Sequence, residues 1–415
     1  MYDLQRRSFL HLGLVSLPGL FAFSLLRPRS ADAALVKARA CVWLWLNGGP
    51  SHLDTFDPKP GTRNGGPFKA IKTRANGMEI SEHLPLLAEQ ADHFSLIRSM
   101  STGEGNHDRA RYLVHSGYAP TPTVQHPSLG GWVSEELPRA GLDLPAFVSV
   151  GGPSMDAGFL GAQYAPFIIR PGKTPDNVEL PSMVDAARFD RRQQLLGSLE
   201  SQFASRTGDL KVRARRSVYD NAVKMMESPH LTAFDLEPEP AKVRSMYGDH
   251  DFGRGCLMAR RLVEAGVPFV EVTLDGWDTH KDNFERTKKL MSTLDSGASS
   301  LFRDLQERGL LDTTLVVVAG EFGRTPNINA NDGRDHYPKA WSVLLGGGGL
   351  RNGIVYGKTN LDGSEVIENP TDMPDLLATL ASVLGMDPGK TILTPVGRPI
   401  SLTNHGKPIR ELTAP

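Results

Sequence analysis

Residues 43–60 read "WLWLNGGPSHLDTFDPKP". An apolar run breaks off at Asn47, passes through Gly48, Gly49 and Pro50, and gives way to Ser51, His52, Asp54 and Asp57. The run, residues 40–46, has the length of a strand rather than of a helix. It carries no polar alternation, so both faces of that strand are covered, as in a parallel sheet between helices. The residues beyond Asn47 are too polar and too kinked for packing. Either the chain simply leaves a strand here, or the loop holds something.

Similar runs recur at wide spacing: FSLI (94–97), PAFVSV (145–150), VPFVEVTL (267–274), TLVVVAG (314–320) and WSVLLGG (341–347). Between the fourth and fifth of these six runs, Leu290, Met291, Leu294, Ala298, Leu301, Phe302 and Leu305 repeat at the spacing of one helix face, and Gly309 stops the pattern. A second helix is expected over 374–384, with Pro374 in its first turn and Gly385 just beyond its end. Residues 183–247 are charged and helical in pattern, with no strand candidate. The expected fold is α/β, a mostly parallel central sheet sandwiched by helices, with a helical insertion over about 183–247.

In such sheets ligands bind beyond the carboxyl ends of the strands. Those ends carry Asp54 and Asp57 after the first run, Asp275, Asp278, His280 and Asp282 after the fourth, and Glu321 and Arg324 after the fifth. Asp332, Arg334, Asp335 and His336 come later in the same stretch. Carboxylates with imidazoles suit a divalent ion such as Zn, Mn or Ca, and two such ions clamp an ester for in-line displacement. Each fragment also has a plainer reading. Asp54 and Asp57 serve equally as caps or turn formers, Asp278 and His280 as residues of a solvated loop, and Asp335-His336 as a histidine oriented by a neighbouring turn. Glu321 resists that reading, because a carboxylate abutting a buried strand needs a partner. The segment GEGNHDRARYLVHSGYAP (103–120) starts a helix near His107. With Arg109 and Arg111, its N-terminus is either an anion site or an ordinary Asn-capped end. His115, His230 and His405 read as surface or packing residues.

The 415 residues are 40% hydrophobic and 22% charged, with a net charge of -1. That balance argues against nucleic acid as a partner. Arg6 and Arg7 precede Phe9 and Leu10, an apolar run reaches Leu26, and ADAA spans 31–34. This resembles a twin-arginine signal peptide over 1–33, cleaved after Ala33. The alternative is an uncleaved apolar anchor. A single α/β domain would then occupy 34–415, in the periplasm or another extracytoplasmic space, without a membrane span after cleavage. Cys41 and Cys256 are expected as free thiols.

Further segments extend the pattern: ISEHLPLLA, SGYAP, GFLGAQYAPF, ARRLVEAGVPFVEVTLDGWDTHKDNF, LLDTTLVVVAGEFGRTPNIN, GRDHYPKAWSVLLGGGG and GKPIREL. Together they resemble an exported bacterial domain-of-unknown-function family related to sulfatases, in the alkaline phosphatase superfamily. The resemblance runs from the leader to residue 412. It implies a metal site at the carboxyl edge of the sheet. Asp54 would be its first-strand ligand, Asp278 and His280 the central pair, and His336 the last histidine. The nucleophile position falls on His107 and the sulfatase arginine on Arg111. A later Asp–His pair falls on Glu321 and Phe322. The sequence departs from sulfatases in having no Cys-x-Pro-x-Arg, no hydroxyl at position 107, and Phe322 in place of a ligand.

Three functional expectations result. The first is an exported metal-dependent hydrolase of phosphate, sulfate or related esters, acting on an anionic small molecule or a polysaccharide ester. Asp54, Asp278, His280, Glu321 and His336 would hold metal, His107 would act as nucleophile or acid/base, and Arg111 and Arg324 would neutralise the anion. The second is a non-catalytic relative that binds an anionic ligand or envelope partner. The third gives these loops a structural role alone.

Overall fold

The computed structural model describes residues 38–137, 141–207 and 210–413. The expected leader, residues 1–33, lies outside the described residues. Among the described residues no helix is long and apolar enough to cross a membrane.

Eight strands form the central sheet: β1 (Ala40–Asn47), β2 (Phe94–Met100), β3 (Phe147–Val150), β4 (Phe167–Ile169), β5 (Phe269–Asp275), β6 (Thr314–Ala319), β7 (Trp341–Gly347) and β8 (Val355–Tyr356). Their order is β8-β2-β7-β6-β1-β5-β3-β4. All six apolar runs became strands of this sheet, and the two edge strands are short additions. The pairs β1–β5, β1–β6, β3–β5, β3–β4 and β2–β8 are parallel. Strand β7 runs antiparallel to both β2 and β6. Its unbroken apolar sequence reports burial on two faces, which does not depend on strand direction.

Among the described residues the helices of eight residues or more are α1 (His107–Ser116), α2 (Leu129–Glu136), α3 (Ala186–Thr207), α4 (Leu210–Met226), α5 (Asp251–Glu264), α6 (Asn283–Glu307) and α7 (Met373–Val383). Strand β1 shows why they form two layers. Val42, Leu44 and Leu46 enter a core with Leu257 and Met258 of α5 and Leu294 and Leu301 of α6. Cys41, Trp43 and Trp45 enter the opposite core with Trp132 of α2 and Leu376 and Leu380 of α7. Alternate residues of a strand point to opposite faces, and each fully buried aliphatic side chain contributes roughly 1.5–3 kcal/mol. Both cysteines are buried and free. Helix α6 starts seven residues ahead of its apolar periodicity at Leu290, because its first turns, NFERTKK, are polar. Within 183–247 the described residues contain α3, α4 and short helical turns but no strand.

Candidate metal centre

The central strands end in register, with Asn47 opposite Asp275 and the Asn47 amide donating to Asp275 Oδ1 at 2.7 Å. Directly beyond, Gly48 and Gly49 have φ of +115° and +78°. A Cβ on Gly48 would lie 2.3 Å from the Asp278 nitrogen, and one on Gly49 2.7 Å from the Phe322 ring. Only glycine lets this backbone pass so close to its neighbours. The Gly48 N–H then donates to both oxygens of Glu321, at 2.9 and 3.1 Å. The Gly48 and Gly49 carbonyls accept from Arg324 Nη2 and Nε.

On this cradle four side chains converge. His107, the first residue of α1, places Nδ1 2.6 Å from Glu321 Oε1. Its Nε2 is buried without a hydrogen-bond partner and lies 3.5 Å from Asp278 Oδ2. Asp278 accepts from Arg324 Nη2 at 2.6 Å. His336 donates Nδ1–H to the Gly105 carbonyl at 2.7 Å and sets Nε2 3.4 Å from Asp278 Oδ1. His280 donates Nδ1–H to Asp335 Oδ1 at 2.7 Å, with Nε2 3.1 Å from Asp278 Oδ1 and 3.0 Å from His336 Nε2. Ligand atoms of His107, Asp278 and His336 all lie within 4.8 Å of one another. Each imidazole is therefore held from behind by a carboxylate or carbonyl, which fixes its tautomer and turns the Nε2 lone pair inward.

The electrostatics arise from these contacts. The Glu321 hydrogen bond raises the His107 imidazole above its ordinary value, against a lowering by burial. Burial favours a higher Asp278 value, but the hydrogen bond and charge of Arg324, with His107 and His280, hold it below the usual carboxylate range. Burial lowers His336, helped by the charges of Arg324 and His107. The His280 hydrogen bond lowers Asp335.

Of the other expected site residues, Asp54 and Arg111 stand elsewhere, whereas Arg324 and Glu321 support the cluster from behind. Asp54, fully buried, accepts from Arg334 Nε and Nη2 at 2.8 and 3.0 Å and from Asn283 Nδ2 at 2.8 Å. Its charge is neutralised by an arginine, so the structure sets it in a buried ion pair apart from the cluster. Arg324 is also fully buried, with its donors on Asp278 and backbone carbonyls. It positions Asp278 rather than offering a free cation to an anion. Arg111 donates to the Pro153 carbonyl. Glu321 stands behind His107, facing Gly48.

Sequence reading did not assign roles to Asp335, Arg334 and Asn283. The dense charge of NDGRDHYP was the available signal for the first two; nothing in the sequence paired Asn283 with Asp54. Nor did it find the buried contact of His115 Nε2 with Glu271 Oε2, 3.1 Å, which Ser154 joins at 2.7 Å. His115 packs on Trp43 and Trp45, and Glu271 is hidden inside the apolar run of β5.

The residues fit a bound cation. Two Nε2 lone pairs 3.0 Å apart, with a third, partnerless Nε2 beside the same carboxylate, require a proton or a metal among them. Imidazole nitrogens with one carboxylate are a donor set for a zinc-like ion, whereas Ca takes oxygen ligands.

Solved structures similar to this chain include an alkaline phosphatase superfamily protein from Vibrio parahaemolyticus, at 12% identity and a TM-score of 0.42, covering 92% of this chain and 71% of that one. The sulfatase PsFucS1 from Pseudoalteromonas sp. is 14% identical with a TM-score of 0.41, over 84% of this chain and 68% of its own. The phosphonate monoester hydrolase SpPMH from Silicibacter pomeroyi is 12% identical with a TM-score of 0.35, over 89% and 76%. No curated protein matches the chain. The model of the family described as "Protein of unknown function (DUF1501)" matches residues 38–413, and the chain belongs to that family.

Proposed function

We propose that this chain is an exported, metal-dependent hydrolase of phosphate, sulfate or related esters. The carrying observation is the His107 Nε2, buried and partnerless beside Asp278 and His336 while Glu321 grips the opposite nitrogen. His107, Asp278 and His336 hold the ion. When bound, a divalent cation supplies Lewis-acid polarisation of an ester oxygen. The chain's own residues do the rest. Arg324 keeps Asp278 ionised and aimed inward. Glu321 and Gly105 lock the two ligand rings. His280 is about half exposed at 45% and is backed by Asp335, so its Nε2 is the atom placed to pass a proton between solvent and an ester at the rim. The leader pattern of residues 1–33 supports export.

A second reading, a metal-holding relative without turnover, is favoured by one observation. Arg324 and Arg111 both bond to backbone carbonyls, which leaves the expected anion clamp engaged elsewhere.

The test is elemental mass spectrometry of protein purified without chelator, comparing wild type with His107→Ala, Asp278→Asn and His336→Ala. A panel of phosphate, phosphonate and sulfate esters with added Zn or Mn is then screened. A divalent metal in wild type, lost from each variant, with turnover lost from His280→Ala, supports the hydrolase. Metal without turnover selects the second reading. Folded wild type that takes up no metal overturns both.

A further inference from the structure

Far from this cluster in sequence, α3 carries an unusual outward face. At 100° per residue, Arg188, Arg191, Arg192, Leu195, Leu199, Phe203 and Arg206 share about a third of the helix circumference. The four arginines are exposed. Leu195, Leu199 and Phe203 are 61%, 55% and 55% exposed, and Met183, just ahead of the helix, is 83% exposed. The helix has two acids, and neither lies in this sector: Asp190 points away, and Glu200 faces Arg216 of α4 at 3.8 Å. Among the described residues Arg191, Arg192 and Arg206 have no ion-pair partner.

An aqueous surface gives no reason to set two exposed leucines among arginines that no described acid pairs. A second copy of the chain does not fit, because it would bring four arginines against four. A surface with negative charge over an apolar layer fits both parts. Arginine stems lie along apolar matter while their heads meet phosphates, and the leucines enter the headgroup–acyl boundary.

We propose that α3 docks this protein flat on an anionic lipid surface, with Arg188, Arg191, Arg192 and Arg206 on lipid phosphates and Leu195 and Leu199 inserted between them. The helix has 22 residues, so about 33 Å of it lies along the surface. This contact is peripheral and independent of the metal cluster.

The test is cosedimentation of the full chain with phosphatidylcholine vesicles, with and without phosphatidylglycerol. The apolar segment 8–26 is common to every variant, so differences among them read α3 alone. Wild type is expected to bind the phosphatidylglycerol vesicles more than about tenfold tighter than the neutral ones. Arg188→Glu/Arg191→Glu/Arg192→Glu should lose that preference, and Arg188→Lys/Arg191→Lys/Arg192→Lys should keep it. Leu195→Glu/Leu199→Glu should weaken binding at unchanged thermal stability. Equal binding of wild type and the glutamate variant overturns the proposal. So does a concentration-dependent dimer abolished by Leu199→Glu, which would make the face a self-association surface. Retention on dextran sulfate without vesicle binding, lost with the arginines alone, overturns it in favour of a glycan.

Discussion

His107 and Glu321 are joined at 2.6 Å, although 214 positions separate them in the chain, and the Gly48 N–H fixes both oxygens of that carboxylate at 2.9 and 3.1 Å. The imidazole at the start of α1 is thus oriented by the end of β6 and the turn after β1. Three separate elements must be in place before His107 Nε2 can face Asp278.

Glu321→Gln should therefore loosen the ring rather than remove a ligand. Losing such a supporting partner typically costs about 10–100-fold in metal affinity. Competition with a chromogenic chelator measures it, and an unchanged affinity would free Glu321 of any positioning role.

Metal uptake should depend on pH with a defined sign. His107 is raised above its ordinary value by Glu321 and His336 is lowered by burial, so His107 is the ligand that protonates first as pH falls. Affinity should weaken on acidification from the neutral range. Without metal, protonated His107 contributes stability that is complete below the unfolded-state value and is lost as pH rises through its raised folded value. Asp278, held low, contributes stability above the unfolded carboxyl value that is lost as pH falls through its depressed one. Calorimetry of apo and metal-loaded protein from about pH 5 to about pH 8 checks the first sign, and a metal-loaded midpoint that rises on acidification would contradict it.

Arg334 and Asp54 are both fully buried and meet at 2.8 and 3.0 Å. Removing one partner strands the other charge, so Arg334→Ala should lose roughly 3–5 kcal/mol of stability in urea titration. Asp54→Asn should also unfold earlier yet, while folded, bind metal with wild-type stoichiometry. Loss of metal from folded Asp54→Asn would return Asp54 to the ligand set.

Gly48→Ala meets a backbone atom at 2.3 Å in a left-handed conformation. No flexible side chain can yield there, so the cradle must deform, costing at least about 1–3 kcal/mol. The variant should lose metal affinity along with stability, whereas Gly61→Ala, with open space around its Cβ, should keep its affinity. Equal affinities would separate the turn from the site.

The sheet was legible because burial on two faces writes itself as unbroken apolar runs, and VVVAG or LWLN carries that mark whatever the rest of the chain does. Positions beyond the strands were legible as a group: Asp278, His280, Glu321 and His336 do gather at one edge. Their individual roles were not. Whether a carboxylate faces solvent, an imidazole or an arginine depends on partners hundreds of residues away, as Asp54 with Arg334 and Arg324 with Gly48 both show. Sequence spacing carries no information on such pairings.

The opposite direction of β7 has an effect on assembly. Strand β6 leaves the sheet at the edge where β7 enters it, so residues 320–340 form one continuous excursion that never crosses to the other side. Glu321, Arg324, Arg334, Asp335 and His336 all ride on it. His336 and the supporting Glu321, Arg324 and Asp335 therefore form one cassette, closed by the pairing of neighbouring strands, onto which His107, Asp278 and His280 dock from distant parts of the chain. A replacement of that single loop would rewrite the site's chemistry while leaving every strand of the sheet in its place.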